Sequence, residues 1–563
     1  MSEAMTVAAA PDADGETWAL RPWVLAGLMG AAGLLIHFVT QDRLQLPGPS
    51  AAAAFLLFGS VAAALTLDMD RWREPAVFSV GAGLVMAGLA WRAVAGGDRF
   101  ADPGFGFAAG VLATALSLPL FQAGFHRRRF AVPYAELHDM VWTDGISAGG
   151  SLACTALSWV VLSIIAKLFA LLNIHLIEYL MRDAAFDWTF SGVVFGAALG
   201  TIRNELRLLG TLRTIVMMVL SLLAVPVAAA LAAFLAAMVV SGRQVLWQAT
   251  SSSTPTLLAC AAGAFGLANT VLRYSDAEMP GNRAMRLAAL VLALTILPLT
   301  AFAAVSMGTR IVQHGLSPER IWAMVAIAVA CAYAVAYAVA VLGGLKGRWR
   351  QRVRSTNLAL AVGVCGVALF LALPIFDFGA ISASSQVGRL QSGKVAPDKF
   401  DFAALRWDMG EGGRRALARL ATSGNARIAE LAGTAQRQTS RPYCCSGGGN
   451  KARGDFKLRV QPDDPNLRSL VLDHLVPEPW LCQETCVALD LGPGSGERRK
   501  IALVSGDAVL SLELPSPPRG RATVYDIDNP LSPMLKPNST VSIGSVTKHY
   551  VLVDGKPVGQ PID

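Results

Sequence analysis

The chain has 563 residues, of which 53% are hydrophobic and only 16% are charged, and its formal net charge is +8. Soluble domains average about 25% charged residues, so this composition excludes a disordered chain, a coiled coil and a small disulfide scaffold, and it disfavours a fully soluble enzyme. Charged residues are unevenly placed, with 45 among the first 376 residues and 43 among the last 187. The first part has the composition of a membrane domain and the second that of a soluble domain.

Eleven apolar segments between residues 22 and 376 are long enough to cross a bilayer core of roughly 30 Å as helices. They are Pro22–Thr40, Ala51–Leu67, Ala76–Ala95, Gly104–Phe125, Ile146–Leu172, Trp188–Ile202, Thr214–Val240, Thr256–Leu272, Leu287–Ser306, Ile321–Leu342 and Leu358–Phe376. The sixth segment is short and leaves a re-entrant alternative open. We therefore predict an α-helical polytopic membrane bundle of about eleven transmembrane helices, followed by a C-terminal α+β extramembrane domain with a β-rich end.

Basic residues are distributed unequally between alternate loops, with seventeen Lys and Arg in one set and seven in the other. Cytoplasmic loops of membrane proteins are enriched in Lys and Arg, so we expect a cytoplasmic N-terminus and, after eleven crossings, a C-terminus on the outer side. The bias persists beyond the sixth segment at eleven against three, which favours a complete crossing there. The net charge is largely this loop excess, which faces anionic lipid headgroups, and it does not indicate a nucleic-acid partner.

Composition divides the chain into four parts. They are a cytoplasmic N-terminal tail at 1–21, the transmembrane helical domain at 22–376, a helical outer junction at 377–445 and a β-rich outer domain at 446–563. Apolar residues recur at helical spacing in the junction, and it contains no long Gly/Ser stretch up to Arg441, so we expect it to be ordered. We predict short strands in the last part, in an antiparallel unit. These are Phe456–Val460, Ser469–Asp473, Cys486–Leu491, Lys500–Val504, Val509–Leu514, Thr523–Asp526, Thr540–Val546 and Tyr550–Val553.

The eight cysteines divide evenly between the spans and the C-terminal domain. An even set of four on the outer side indicates two disulfides. Adjacent cysteines reach disulfide geometry with difficulty, so we favour cross-pairing of Cys444 and Cys445 with Cys482 and Cys486. A site with four thiolates on zinc is the alternative, although the spacing differs from the usual pair of short Cys-x-x-Cys motifs.

Few polar residues in the membrane part suggest chemistry. Lys167 lies near the end of the fifth segment. Its side chain either extends toward the lipid headgroups, or it pairs with Glu178 or has a role in a polar cavity. His138 and Asp144 are the candidates for a membrane enzyme, but their spacing differs from the His and Asp pair of membrane acyltransferases. The sequence predicts no catalytic residues, metal ligands or cofactors that follow a known motif.

The outer loop from Arg310 to Arg320 is more specific. Ser317, Pro318 and Glu319 form a helix start, with a Ser cap and Pro at the first position. Two interpretations of the loop remain. It is either a hairpin that starts the tenth span, or a functional loop whose two arginines bind lipid phosphate or dock the C-terminal domain.

The segment Ser382–Phe402 leaves the membrane directly after the last span. Ser385 lies beside Gln386, and Gln386 and Arg389 share a helix face because they are three residues apart. We predict that this segment packs over the outer ends of the bundle near the Arg310–Arg320 loop. We further expect it to fix the β domain against the membrane part.

Three stretches of the chain resemble the bacterial inner-membrane family catalogued as domain of unknown function 4153. The first runs from Tyr134 through Trp142-Thr-Asp144 and Leu168-Phe169 to Trp188 and Phe195-Gly196. The second is Arg310 to Arg320, with His314-Gly-Leu-Ser-Pro-Glu before the second arginine. The third is Asp377–Gln386, followed by Arg389-Leu, Ser392-Gly, Phe400-Asp401 and Leu405-Arg. The resemblance covers roughly 130–420 and implies a polytopic membrane protein without an established activity or catalytic residues to carry over.

Three functions remain as hypotheses. The favoured one is a non-enzymatic envelope protein of the inner membrane that presents a periplasmic binding or assembly domain to a periplasmic or membrane partner, with membrane lipids around its bundle. A transporter or channel is the alternative, and a membrane enzyme acting on lipid-linked substrates is the third.

Overall fold

The computed structural model describes residues 18–41, 43–69, 71–101, 103–241, 253–344, 348–373, 375–438, 441, 456–476, 481–482, 485–493, 498–505, 508–515, 523–526, 549–553 and 556–562. Two compact units are present, Met1–Gln436 and Arg437–Asp563.

Thirteen helices occupy the described part of the chain up to residue 372. They are α1 Arg21–Thr40, α2 Pro47–Thr66, α3 Arg73–Gly96, α4 Pro103–Gln122, α5 Phe125–Arg128, α6 Tyr134–Leu171, α7 Leu176–Leu180, α8 Ala184–Asn204, α9 Leu206–Ser241, α10 Ser253–Leu272, α11 Arg283–His314, α12 Pro318–Leu342 and α13 Trp349–Ala372. Within the described residues, all of these except the short α5 and α7 are long and apolar enough to cross a membrane. The predicted eleven spans are confirmed.

Clusters of buried apolar side chains hold the helices of the bundle together. One is formed by α9 to α13 around buried Leu292, Leu299 and Tyr337. Another joins α1, α2, α4 and α8 around Leu25, Met29 and Leu199.

The sixth span, α8, packs on α1 through a row of glycines spaced four residues apart. A Cβ atom at Gly192 or Gly196 would meet the backbone of α1, at Met29 and Leu25 respectively. Small residues at this spacing allow the backbones of two membrane helices to approach closely. The segment whose length made it doubtful is therefore a complete helix of 21 residues held by backbone-to-backbone packing.

Two stretches that the sequence analysis left outside the spans are helical. His138 and Asp144 precede the predicted fifth span, which starts at Ile146, and both lie on α6, which begins at Tyr134 directly after Pro133. Proline before a helix fixes an extended backbone at the cap and ends the preceding loop there. The polar stretch before the seventh span likewise begins α9 at Leu206, so it continues that span.

The predicted helical junction is observed in the first unit as four helices. They are α14 Phe378–Gln391, α15 Phe402–Trp407, α16 Gly410–Ala421 and α17 Ala426–Gln436. Leu405, Leu417 and Ala432 are almost completely buried at its centre. The side chains of Asp377 and Asp401 cap α14 and α15 by accepting backbone N–H bonds from Ala380 and Ala404, both at 2.9 Å.

The second unit combines one helix with two sheets in its described part. The elements are β1 Lys457–Gln461, α18 Pro465–Leu475, β2 Thr485–Pro493, β3 Arg498–Ser505, β4 Ala508–Pro515, β5 Thr523–Asp526, β6 His549–Val553 and β7 Lys556–Ile562. The first sheet has the order β1-β2-β3-β4-β5, and the second pairs β6 with β7.

Two expectations for this unit are wrong. The residues Ser469–Asp473 belong to α18, because Asp464 accepts the Asn466 N–H and Pro465 occupies the first turn, a strong start signal for a helix. The main sheet is not wholly antiparallel, since β1 pairs with β2 in parallel. A helical crossover is the usual connection between parallel strands, and α18 provides it. The predicted strand Thr540–Val546 lies outside the described residues.

Candidate functional site

One end of the bundle brings together the candidate residues of two distant stretches, Arg310–Arg320 and Ser382–Phe402. Gln386 on α14 donates hydrogen bonds from Nε2 to the carbonyl oxygens of His314, at 2.9 Å, and Leu316, at 2.8 Å. Arg389, one turn further on, donates to the carbonyl oxygens of Val312, at 2.8 Å, and Gln313, at 2.6 Å. We call these contacts of α14 with the last turn of α11 and the loop after it the loop clamp.

The loop clamp provides hydrogen-bond donors for carbonyl groups at the end of α11. The last carbonyl groups of a helix have no partner within it, and α11 ends at His314. Its terminal carbonyls accept bonds from the side chains of α14. Ser385 contributes a longer contact, in which the Leu316 N–H donates to its Oγ at 3.4 Å.

Gly315 permits this close fit. Its φ is +74°, and a Cβ atom there would lie 2.7 Å from both Arg389 Cδ and Gln386 Nε2. Only glycine adopts this conformation readily. Arg320 completes the turn by donating to the Gly315 carbonyl at 2.7 Å, while Ser317 caps α12 as predicted.

The prediction that Ser382–Phe402 packs on the Arg310–Arg320 loop is thus confirmed by these contacts. The guanidinium of Arg320 holds the turn of its own loop, and its role in binding lipid phosphate or docking the C-terminal domain stays a prediction. The expectation that the junction also fixes the β domain stays a prediction.

The opposite end of the bundle carries a polar network that the sequence analysis missed. Asn357 of α13 donates from Nδ2 to Asn269 Oδ1 of α10 at 2.7 Å and to the Tyr134 hydroxyl of α6 at 3.1 Å. Its Oδ1 accepts from the Tyr337 hydroxyl of α12 at 2.8 Å. Asn269 Nδ2 also donates to the Tyr337 hydroxyl at 2.7 Å. We call these four side chains, which meet between helices in the interior of the bundle, the inner network.

An arginine of α13 binds the end of α10. Arg354, which is 8% exposed, donates to the carbonyl oxygens of Leu272, the last residue of α10, at 2.6 Å, and of Arg273, at 3.0 Å. It also forms an ion pair with Asp276 at 2.8 Å. The inner network and Arg354 therefore tie together four helix ends. The residues of the inner network are far apart in the sequence and belong to no motif. The signal that could have found them is an Asn within an otherwise apolar span.

The structure places the two enzyme candidates on different faces of α6. His138 is 6% exposed and lies among the rings of Tyr134, Trp142 and Tyr274. Asp144 accepts a bond from Gln122 Nε2 at 3.1 Å on the side of α4. The two side chains therefore do not form a joint acid–base pair.

Lys167 is exposed on the surface of α6, close to the end of that helix at Leu171. Glu178, its suggested partner, lies 3.1 Å from His175 Nδ1 instead. Lys167 is thus separate from the loop clamp and from the inner network.

The cysteine pairing differs from the favoured one. Cys482 and Cys486 are joined to each other, with Cα atoms 5.8 Å apart, so the cross-pairing of both with Cys444 and Cys445 is wrong. Four residues of separation allow the chain to turn and bring two sulfurs into bonding range. A disulfide also removes two of the thiolates that a zinc site would require. Cys444 and Cys445 lie outside the described residues.

The second unit contains a partly exposed ion pair between neighbouring strands. Arg499 of β3 donates to Asp490 of β2, with Nη2 2.5 Å and Nε 3.1 Å from Oδ2. These bonds hold the pKa of the Asp490 carboxyl below its ordinary value, although burial acts in the opposite direction. Among the described residues, no group of three or more His, Cys, Asp or Glu side chains is arranged to hold a metal ion.

The chain belongs to the family described as a domain of unknown function, DUF4153, whose model matches residues 51–420. The match covers the spans from α2 onward, the loop clamp, the inner network and the junction through α16. No curated protein and no solved structure matches the chain. The molecule is thus a membrane protein of a family without an assigned activity.

Proposed function

We propose that the protein is a bacterial inner-membrane scaffold that presents its C-terminal α+β unit to a periplasmic or membrane partner. The observation that carries this proposal is the loop clamp. Four side-chain bonds from Gln386 and Arg389 fasten the first junction helix to the end of the bundle. A junction of this kind gives the following domain a defined point of departure, which a flexible linker would not give.

The remaining polar sites support a scaffold over the alternatives. The inner network joins helix ends to one another, which makes the bundle more rigid, whereas substrate sites of transporters usually lie near the bilayer midplane between broken helices. His138 and Asp144 are separated, so they provide no shared catalytic position. The orientation within the inner membrane follows from the excess of basic residues in one set of loops.

Photo-cross-linking in the intact cell tests the proposal. A photoreactive residue is placed at Lys457, Arg468 or Lys500, which are exposed on the second unit, and at Arg128 as a control in an inner loop. We expect the same envelope protein to be captured from the second unit, at one or more of the three positions, and not from Arg128. Capture of cytoplasmic proteins by the second unit, or no adduct from any of its three positions, would contradict the proposed function.

A further inference from the structure

An apolar crevice of about 600 Å³ opens on the surface of the bundle between α4, α12 and α13. Its walls include Phe105, Leu112, Trp322, Val329 and Val367. Because all three helices are membrane spans, the crevice opens toward lipid rather than toward water. Such a crevice takes apolar chains from the bilayer.

The depth of the crevice matches one leaflet. On α12 its lining runs from Glu319 to Val329, and ten residues of helix rise about 15 Å. Half of a hydrocarbon core of roughly 30 Å has the same thickness. The crevice begins at the helix end that carries the loop clamp, so a single acyl chain entering from that leaflet fills it to the midplane.

The mouth of the crevice is charged and of mixed sign. Trp322 and Leu371 line both the crevice and a small pocket beside it, where Arg92 and Asp377 lie. Arg92 donates to the Ala372 carbonyl at 3.0 Å, but its buried Nε has no partner among the described residues. Glu319, on the rim, is exposed, and its carboxylate accepts no hydrogen bond in the described part of the chain.

We infer that this crevice is a binding site for a phospholipid with a primary amine headgroup, such as phosphatidylethanolamine. One acyl chain lies between α4, α12 and α13, the phosphate faces Arg92, and the ammonium faces Glu319. A cation bonds a phosphate, and a carboxylate attracts an ammonium group. A headgroup without an ammonium group fits less well, because no part of it is attracted to the Glu319 carboxylate. This site is independent of the proposed function.

Native mass spectrometry of the purified full-length protein tests the inference, with phosphatidylethanolamine and phosphatidylglycerol as the lipid probes. Ala326→Phe fills the crevice from α12, and Ala108→Phe fills it from α4. Ala328→Phe is the matched control, since Ala328 is exposed on α12 but does not line the crevice. We expect retained phosphatidylethanolamine on the wild type and on Ala328→Phe, and about tenfold weaker binding by both crevice variants.

Glu319→Gln tests the headgroup separately. Exposed ion pairs contribute little, so we expect the preference for phosphatidylethanolamine over phosphatidylglycerol to fall by roughly two- to fivefold, while the lipid chain is still retained. Equal lipid binding by the wild type and both crevice variants would overturn the site. Stronger retention of phosphatidylglycerol than of phosphatidylethanolamine by the wild type would overturn the headgroup assignment.

Discussion

Asn357 joins several helices of the bundle, although no sequence motif around it predicts this role. Its amide bonds to side chains of α6, α10 and α12. In a membrane interior such bonds stabilise by roughly 0.6 to 2 kcal/mol each. A buried polar group that loses its partner carries a desolvation cost of similar size.

We expect Asn357→Leu to lower the free energy of unfolding by about 2–4 kcal/mol, because it leaves Asn269 and Tyr337 with fewer partners. Thermal unfolding of the detergent-solubilised protein measures the effect. Ser355→Ala is the matched control, since Ser355 is exposed and its hydroxyl donates to the Arg352 carbonyl of its own helix. Equal stability of the two variants would mean that the inner network does not stabilise the bundle.

The Asp490–Arg499 pair makes the second unit sensitive to acid. The folded-state pKa of Asp490 is depressed, so the pair stabilises at pH values above the carboxyl's unfolded pKa of about 3.9, and this stability is lost as the pH falls through the lower folded value. Asp490 is 13% exposed and Arg499 39% exposed, so solvent screening limits the contribution to about 0.5–1 kcal/mol.

We therefore expect Arg499→Gln to exchange its amide hydrogens in β2 and β3 faster than the wild type at pH 7. At about pH 3 the exchange rates of the two proteins should differ less, because the ion pair is then weakened in the wild type as well. The measurement uses the intact protein. Lys500→Gln is the control, because Lys500 is exposed on the same strand. A difference between Arg499→Gln and wild type that is the same at both pH values would contradict the role of the ion pair.

At the scale of elements, the packing of α8 on α1 depends on glycines rather than on apolar side chains. A Cβ atom at Gly196 would meet the Leu25 carbonyl and the Ala26 backbone, and backbone cannot move aside as a flexible side chain can.

Gly196→Ala should separate the two helices and destabilise the bundle by about 1–3 kcal/mol. On α1 itself, Gly27 has open space around its Cβ position. There alanine should be neutral or slightly stabilising, because it has the higher helix propensity. Thermal unfolding of both variants decides the point, and a Gly196→Ala variant as stable as Gly27→Ala would be inconsistent with the observed packing.

The spans, the junction helices and the loop clamp could be predicted because each depends on local signals: apolar length, capping residues, and a Gln and an Arg on one helix face. The inner network could not, because Tyr134, Asn269, Tyr337 and Asn357 are brought together only by tertiary packing. The error at Ser469–Asp473 has a related cause. A short apolar run suits a strand or a helix, and here the start signal at Asp464 and Pro465 decides for the helix.

At the scale of the whole molecule, the two ends of the bundle differ in character. One end carries Arg354, the inner network and most of the basic loop residues. The other carries the loop clamp and the junction that leads to the second unit. Because eleven is an odd number of crossings, the residues before α1 and the second unit are expected on opposite sides of the membrane.

The central claim is that the second unit is presented on the side opposite to the basic loops. Reporter fusions after Gly344, in the loop before the last span, and after Asp563 test it most directly, with one reporter active only in the cytoplasm and one active only in the periplasm. We expect the Gly344 fusion to be active in the cytoplasm and the Asp563 fusion in the periplasm. Activity of both fusions on the same side would contradict the account.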